Sequence, residues 1–244
     1  MVTIQSLRRF VTRHPLVAYF GMAFAFAWIL QIPLVLAQNG FGLIPFTLPT
    51  NLFTVPAVIA GPTLAAFVVT AATEGRAGVR QLLRRYLHWR VGIQWYLLVL
   101  FSYPLLLLVA TSIVLGQGPL HLVLQLWPLI GSVFLPAFVS ILATGQLWEE
   151  VGWRGFALPH LQRGLGPLRG SLVVGVLHGL WHLPGFFYVG PVVPEESQVG
   201  MSIPLFLTLM LSAVVLSIIL TWVYNRTHGS VLMCNLFHTI FLAA

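Results

Sequence analysis

The sequence has no lysine, no aspartate, one cysteine, and only 7% charged residues among its 244. Each shortage excludes something. A soluble domain carries roughly a quarter charged residues, so a chain this poor in charge cannot keep a folded surface wet and belongs in lipid. Cys234 has no second cysteine to pair with, which rules out an internal disulfide. Without lysine, all basic charge rests on twelve arginines, and without aspartate the only acids are Glu74, Glu149, Glu150, Glu195 and Glu196. A formal charge of +7 would suit a nucleic-acid partner, but the arginines stand beside apolar segments. Anionic lipid headgroups and topology account for them, and no nucleic-acid partner is implied. The first apolar stretch is too long for the h-region of a signal peptide and lacks a small-residue cleavage site, so no cleavable leader is expected.

What the chain does have is hydrophobic residues, 58% of the total, with a mean hydropathy of +0.93. They gather in seven continuous segments, approximately 16–37, 52–72, 93–115, 126–147, 168–189, 203–224 and 230–244. A helix needs about 20 residues to cross a hydrocarbon core of about 30 Å, which the first six satisfy and the last does not. The runs are continuous rather than alternating, which excludes a β-barrel. The expected fold is an all-α, polytopic membrane helix bundle of about seven spans, forming a single integral domain over 1–244. The arginines sit before the first segment, between the second and third, around the end of the fourth, and between the sixth and seventh. The opposite loops, near Gly40, Gly118 and Glu195, carry none. That asymmetry predicts an N-terminus in the cytoplasm, with the second loop and the stretch 149–169 on the same side. Within the second loop, 80–90 reads as an interfacial helix on headgroups, with Leu83, Tyr86 and Leu87 sharing a face.

Ionisable groups inside a membrane cost roughly 2.5–3.5 kcal/mol each and persist when paired or functional. They cluster three times in the C-terminal half. Glu149, Glu150 and Arg154 fall where the fourth helix should continue toward Pro159, making Glu150 and Arg154 i,i+4 neighbours. Glu149 then points away, free to face another helix as a general base. His178 and His182 lie one turn apart deep in the fifth segment, and Pro184 should expose the carbonyl of Leu180. Their spacing suits zinc ligands, but Gly179 follows His178, so the HExxH motif is absent and any base must come from another helix. Asn235 and His238 share a face of the last segment at i,i+3. The remaining histidines, His14, His88, His121, His160 and His228, are expected in solvated loops, as are Glu195 and Glu196.

Glu149-Glu150-xxx-Arg154 resembles the EExxxR motif of the CPBP family of type II CAAX prenyl proteases and bacteriocin-processing proteins. His182, within Trp181-His182-Leu183-Pro184, matches the histidine of the family's second motif, and His178 stands where an aromatic residue is usual. His238 matches the third-motif histidine, with Leu242 where asparagine often follows and Asn235 one turn earlier as a substitute. The matched stretch lies within 126–244, the expected catalytic portion.

The resemblance implies an intramembrane endopeptidase of a bacterial inner membrane, acting on a peptide or protein substrate, membrane-associated or lipidated, at the cytoplasmic side. In it Glu149 and His182 would activate water, Glu150 and Arg154 would set geometry and charge, and His238, with His178 or Asn235, would meet substrate or oxyanion. Members are labelled metalloproteases, yet a metal-free glutamate mechanism is also proposed. The expectation here is that no cofactor is required. If zinc is used, its ligands would come from Glu149, His178, His182 and His238. A proton-coupled transporter, a haem carrier using His182 and His238, and a catalytically silent relative acting by protein contact remain as rivals.

Overall fold

The computed structural model describes residues 4–190, 200 and 202–243, and these contain helices and turns but no β-strand. The first helices are α1 (Ile4–Arg13), α2 (Pro15–Leu36), α3 (Thr50–Tyr86), α4 (Ile93–Leu115) and α5 (Gly118–Leu126). A helical run then spans Gly131–Phe187 and contains α6 (Leu158–Trp181). It is followed by α7 (Ile203–Arg226) and α8 (Val231–Ala243). Among the described residues, five helices are long and apolar enough to cross a membrane. The molecule is a multi-pass helical bundle, as expected, and these five long helices do not by themselves fix the count at seven. The predicted fourth and fifth segments fall within one run of 57 residues that reverses at Gly166, and α8 has only 13.

That long run cannot be straight. At 1.5 Å per residue, Glu149 and His178 would lie about 44 Å apart, yet their side chains are 2.9 Å apart. The chain folds back at Gly166, whose φ of 75° and ψ of 170° lie outside helical space, immediately before Pro167. A β-carbon disfavours a positive φ, and proline prevents the preceding helical bonding from continuing. Two arms therefore lie side by side, the first carrying the glutamates and the second the two adjacent histidines.

Helix α3 bends twice. It widens to i→i+5 bonding over Ile59–Leu64, around Pro62, and turns again at Gly75 (φ 64°). Beyond Gly75 lies the arginine-bearing stretch predicted as interfacial. Its helix ends at Tyr86 rather than Arg90. Leu83 and Leu87 are exposed and available to lipid, while Leu82, outside the predicted face, is buried.

Hydrocarbon surroundings give apolar helices little reason to associate, so close packing at small residues has to hold them. Ala23 and Ala27 of α2 are fully buried against the backbone of Gly61 in α3. Along the α6–α7 seam, Gly175 and Gly179 admit Val214, Ser217 and Met210, and the Ser217 hydroxyl donates to the Ser171 carbonyl at 2.7 Å. By contrast α4 fully buries Val99 alone, with Trp95, Leu98 and Tyr103 packed partly buried against the core. At the arginine-free end, the turn after α2 meets the segment after α6: Val189 donates its N–H to the Asn39 carbonyl at 2.6 Å, and the Tyr188 hydroxyl donates to Gln31 at 2.7 Å. Glu195 and Glu196 lie outside the described residues.

Gly152 is where the first arm touches both α2 and α3, against the Tyr19 hydroxyl and the Pro62 carbonyl. A methyl group there would overlap both, and neither belongs to a long flexible side chain free to retreat. Gly152→Ala is expected to destabilise the bundle by about 1–3 kcal/mol, read as a lowered unfolding midpoint in detergent. Gly164→Ala, where nothing lies within 4 Å of the added carbon, serves as the comparison.

Candidate active site

The glutamates occupy a short helical turn, Leu147–Glu150, between stretches of widened helix at Leu142–Gln146 and Val151–Ala157. A regular α-helix to Pro159 was the sequence expectation, and i→i+5 bonding replaces it over Val151–Ala157. Such bulges concentrate at functional sites because they re-aim side chains. On the neighbouring side, the Thr63 hydroxyl of α3 donates to the carbonyl of Trp148 and anchors the backbone beside Glu149.

Glu150 and Arg154 form the expected i,i+4 pair, Oε1 to Nη1 at 3.0 Å, with both side chains fully buried. Burial removes Arg154 from the loop arginines used for topology. His238 of α8 completes the group, its Nδ1 lying 2.8 Å from Glu150 Oε1. With Glu150 a carboxylate, that nitrogen carries the hydrogen and donates.

Glu149 faces the other way, into the second arm. Its partner is His178, Nε2 to Oε2 at 2.9 Å, whereas the sequence reading paired it with His182. Helix rise explains the difference: His178 lies about 15 Å along from Leu168 and His238 about 12 Å from Ser230, a closer match than the about 21 Å of His182. The rings of His178 and His238 are 5.8 Å apart, and those of His178 and His182 are 5.3 Å apart. Trp153 stacks on His178 with centroids 4.9 Å apart, so the ring that orients Glu149 is itself held by an aromatic plane.

Glu149, His178, His182 and His238 all line one cavity of about 500 Å³. Asn235 does not line it; its amide is buried without a hydrogen-bond partner among the described residues. Leu242 forms part of the cavity wall. Sequence reasoning missed Gln146, Gln31 and Tyr188 in that wall and Trp153 behind His178. Gln146 was findable, since three residues before Glu149 on a helix is the same face. The others depend on tertiary packing. His160, expected to be solvated, instead bonds the Phe156 carbonyl at 2.8 Å and lies 3.6 Å from Glu74.

One ligand atom each from Glu149, His178 and His182 can come within 4.8 Å of the other two. Three protein donors with an open position is the pattern of catalytic zinc, so these side chains fit that ion. His238, bonded to Glu150, stands outside the trio.

Residues 131–243 match the family model described as type II CAAX prenyl endopeptidase, Rce1-like. Over 105 residues the chain is 30% identical to CAAX prenyl protease 2 of Methanococcus maripaludis, covering 43% of this chain. The matched region spans 38% of the length of that relative. Both matches support the CPBP/CAAX protease family.

Removing one member of a buried ion pair strands the other. Arg154→Met leaves Glu150 facing His238 alone and is expected to cost about 3–5 kcal/mol, measured as a lowered unfolding midpoint in mixed micelles. Adding Glu150→Gln should recover part of that loss, because no stranded carboxylate then remains.

Proposed function

We propose, from the premise that residues 131–243 belong to the CPBP/CAAX protease family, that this multi-pass membrane protein is an intramembrane endopeptidase. We place it in a bacterial inner membrane with its N-terminus in the cytoplasm. Its substrate is a peptide or protein that is membrane-associated or lipidated. The observation carrying this reading is a carboxylate, Glu149, held by His178 at the wall of a cavity that also exposes His182 and His238.

His178 occupies Glu149 Oε2, which leaves Oε1 for a water molecule shared with His182. Glu149 takes a proton from that water as its oxygen bonds to the scissile carbonyl carbon. The resulting oxyanion needs a donor. His238 donates through Nδ1 to Glu150, so in its imidazolium form it offers Nε2–H to the oxyanion, and Glu150 stabilises the added charge. When the C–N bond breaks, Glu149 returns the proton to the leaving amine. Glu150, already engaged by Arg154 and His238, fixes geometry and charge rather than acting as base. Asn235 has no part in these steps.

The proposal requires no cofactor. Were zinc bound, Glu149, His178 and His182 would hold it, and it would supply Lewis-acid activation of water. Holding Glu149 as a ligand would consume the base, which favours the metal-free route.

In proteoliposomes the protein is expected to cleave a fluorogenic prenylated C-terminal peptide. Glu149→Gln and His182→Ala should each lower kcat/KM by about 10²–10⁴-fold, with the double variant little worse than either. Undiminished cleavage by Glu149→Gln would refute the assignment. Elemental analysis of the active protein should find no stoichiometric zinc. Zinc whose removal by chelation abolishes activity, and whose return restores it, would move Glu149 from base to ligand.

A further inference from the structure

A second cleft, of about 790 Å³, lies where the arginines gather and shares no lining residue with the catalytic cavity. Three parts of the chain meet there. The end of α3 and the residues just after it bring Arg84, Arg85 and His88, the first arm brings Gln162 and Arg163, and the turn from α7 to α8 brings Asn225 and His228. Each part is fastened to another. Arg85 donates to the Gly155 carbonyl at 3.0 Å, and the Gln162 and Asn225 amides exchange two hydrogen bonds at 3.2 Å. The Ser230 hydroxyl donates to the His88 carbonyl at 2.6 Å. His228 and Gly229 succeed one another at φ of 53° and 87°, a tight reversal uncommon for a residue with a β-carbon. Packing and backbone, rather than loose side chains, give this cleft its shape.

Its charge is one-sided. Arg84, Arg85 and Arg163 bring three permanent positive charges, and Arg85 and Arg163 both act on the phenol of Tyr224 in the same wall. Among the described residues no carboxylate lines the cleft, and none of these arginines pairs with an acid. Like charges held together without a counter-charge repel, and an anion entering between them relieves that repulsion. Donors remain for it. Arg85 spends only Nη1 on Gly155, and Arg84 and Arg163 make no hydrogen bond to another described residue. Guanidinium forks match the paired oxygens of a phosphate, which a single ammonium group does not.

An adjoining cleft of about 410 Å³ shares Arg84 and His88 with the first, and its walls include Leu83, Leu87 and Trp89, all exposed. A cationic cleft that runs on into an apolar one matches a headgroup joined to an acyl chain, and matches a free ion poorly. Trp89, with the Arg90 guanidinium 5.3 Å from its ring, is the kind of residue that settles at headgroup level. We propose that these two clefts bind one anionic phospholipid. Arg84, Arg85 and Arg163 hold its phosphate, and its chain lies along Leu83, Leu87 and Trp89. This differs from a general attraction of basic loops to a negative surface, because it depends on particular arginines and takes a single lipid. The bound headgroup bridges α3, the first arm and the α7–α8 turn. Since Arg85 also holds Gly155, within the widened helix that follows Glu150, the lipid braces the segment that carries the glutamates.

The lipid site stands independently of the endopeptidase reading, and its test needs no turnover. The full chain in a neutral detergent is titrated with dioleoyl phosphatidylglycerol, dioleoyl phosphatidylcholine or inorganic phosphate. Native mass spectrometry counts bound lipid while the unfolding midpoint is followed. Phosphatidylglycerol is expected to bind once per chain and to raise the midpoint; phosphatidylcholine and inorganic phosphate at equal concentration are not. Replacing the exposed Arg84 and Arg163 together, as Arg84→Gln/Arg163→Gln, is expected to weaken phosphatidylglycerol by about 10–100-fold. Arg8→Gln/Arg9→Gln, which removes the same charge from exposed positions of α1, should leave that binding unchanged. Leu87→Ser keeps every charge and should weaken the lipid through its chain, by less. Equal losses in the two double arginine variants, equal binding of phosphatidylcholine, or unchanged binding in Arg84→Gln/Arg163→Gln would overturn the site. A full effect from inorganic phosphate alone would overturn the lipid as its ligand.

Discussion

A carboxylate buried inside an apolar helix bundle has to be answered by positive charge and hydrogen bonds, and much of this bundle is arranged around that requirement. Glu150 is fully buried and bonded to Arg154 on its own helix and to His238 on another. An ion pair so deep gains little against its desolvation and is weak evidence for stability. What it does here is fix position. It holds the first arm and α8 in register, and it lets the adjacent Glu149 face the opposite direction toward His178. Two neighbouring acids therefore have different environments, one saturated by partners and one opening on a cavity.

Widened helix makes that division geometrically available. Consecutive residues on a regular helix already point about 100° apart, but the i→i+5 stretch after Glu150 also brings Gly152 against α2 and α3. Trp153, one residue on, reaches His178 from behind. The same few residues thus pack the first arm against its neighbours and orient the base's histidine. Small side chains supply the clearance and aromatic ones the rigidity.

Much of this was legible beforehand, for identifiable reasons. Apolar runs without charge mark helices in lipid, and α2, α4 and α7 lie close to the predicted segments. The Glu150–Arg154 pair followed from i,i+4 spacing alone. The pairing of Glu149 with His178 rather than His182 was not legible, because a resemblance weights the matching histidine and spacing on one helix says nothing of depth on another. Helix rise favoured His178. The tight connection between the fourth and fifth predicted segments also escaped, since hydropathy ignores whether the chain turns by a loop or by a single glycine such as Gly166.

The reversal at Gly166 also bears on how the site comes together in time. It separates Glu149 and His178 by only 29 residues, so their meeting closes a short loop at small entropic cost. Glu150 and His238 are 88 residues apart. As the chain emerges from the ribosome, the hairpin of two arms is complete well before α8 exists, since synthesis proceeds at about 5–20 residues per second. During that interval Arg154 alone neutralises Glu150, and the first arm carries a charged pair missing its third member. The nascent protein thus passes through a stage in which its most costly buried group is only partly satisfied. Arrival of the final helix supplies the last partner of that group.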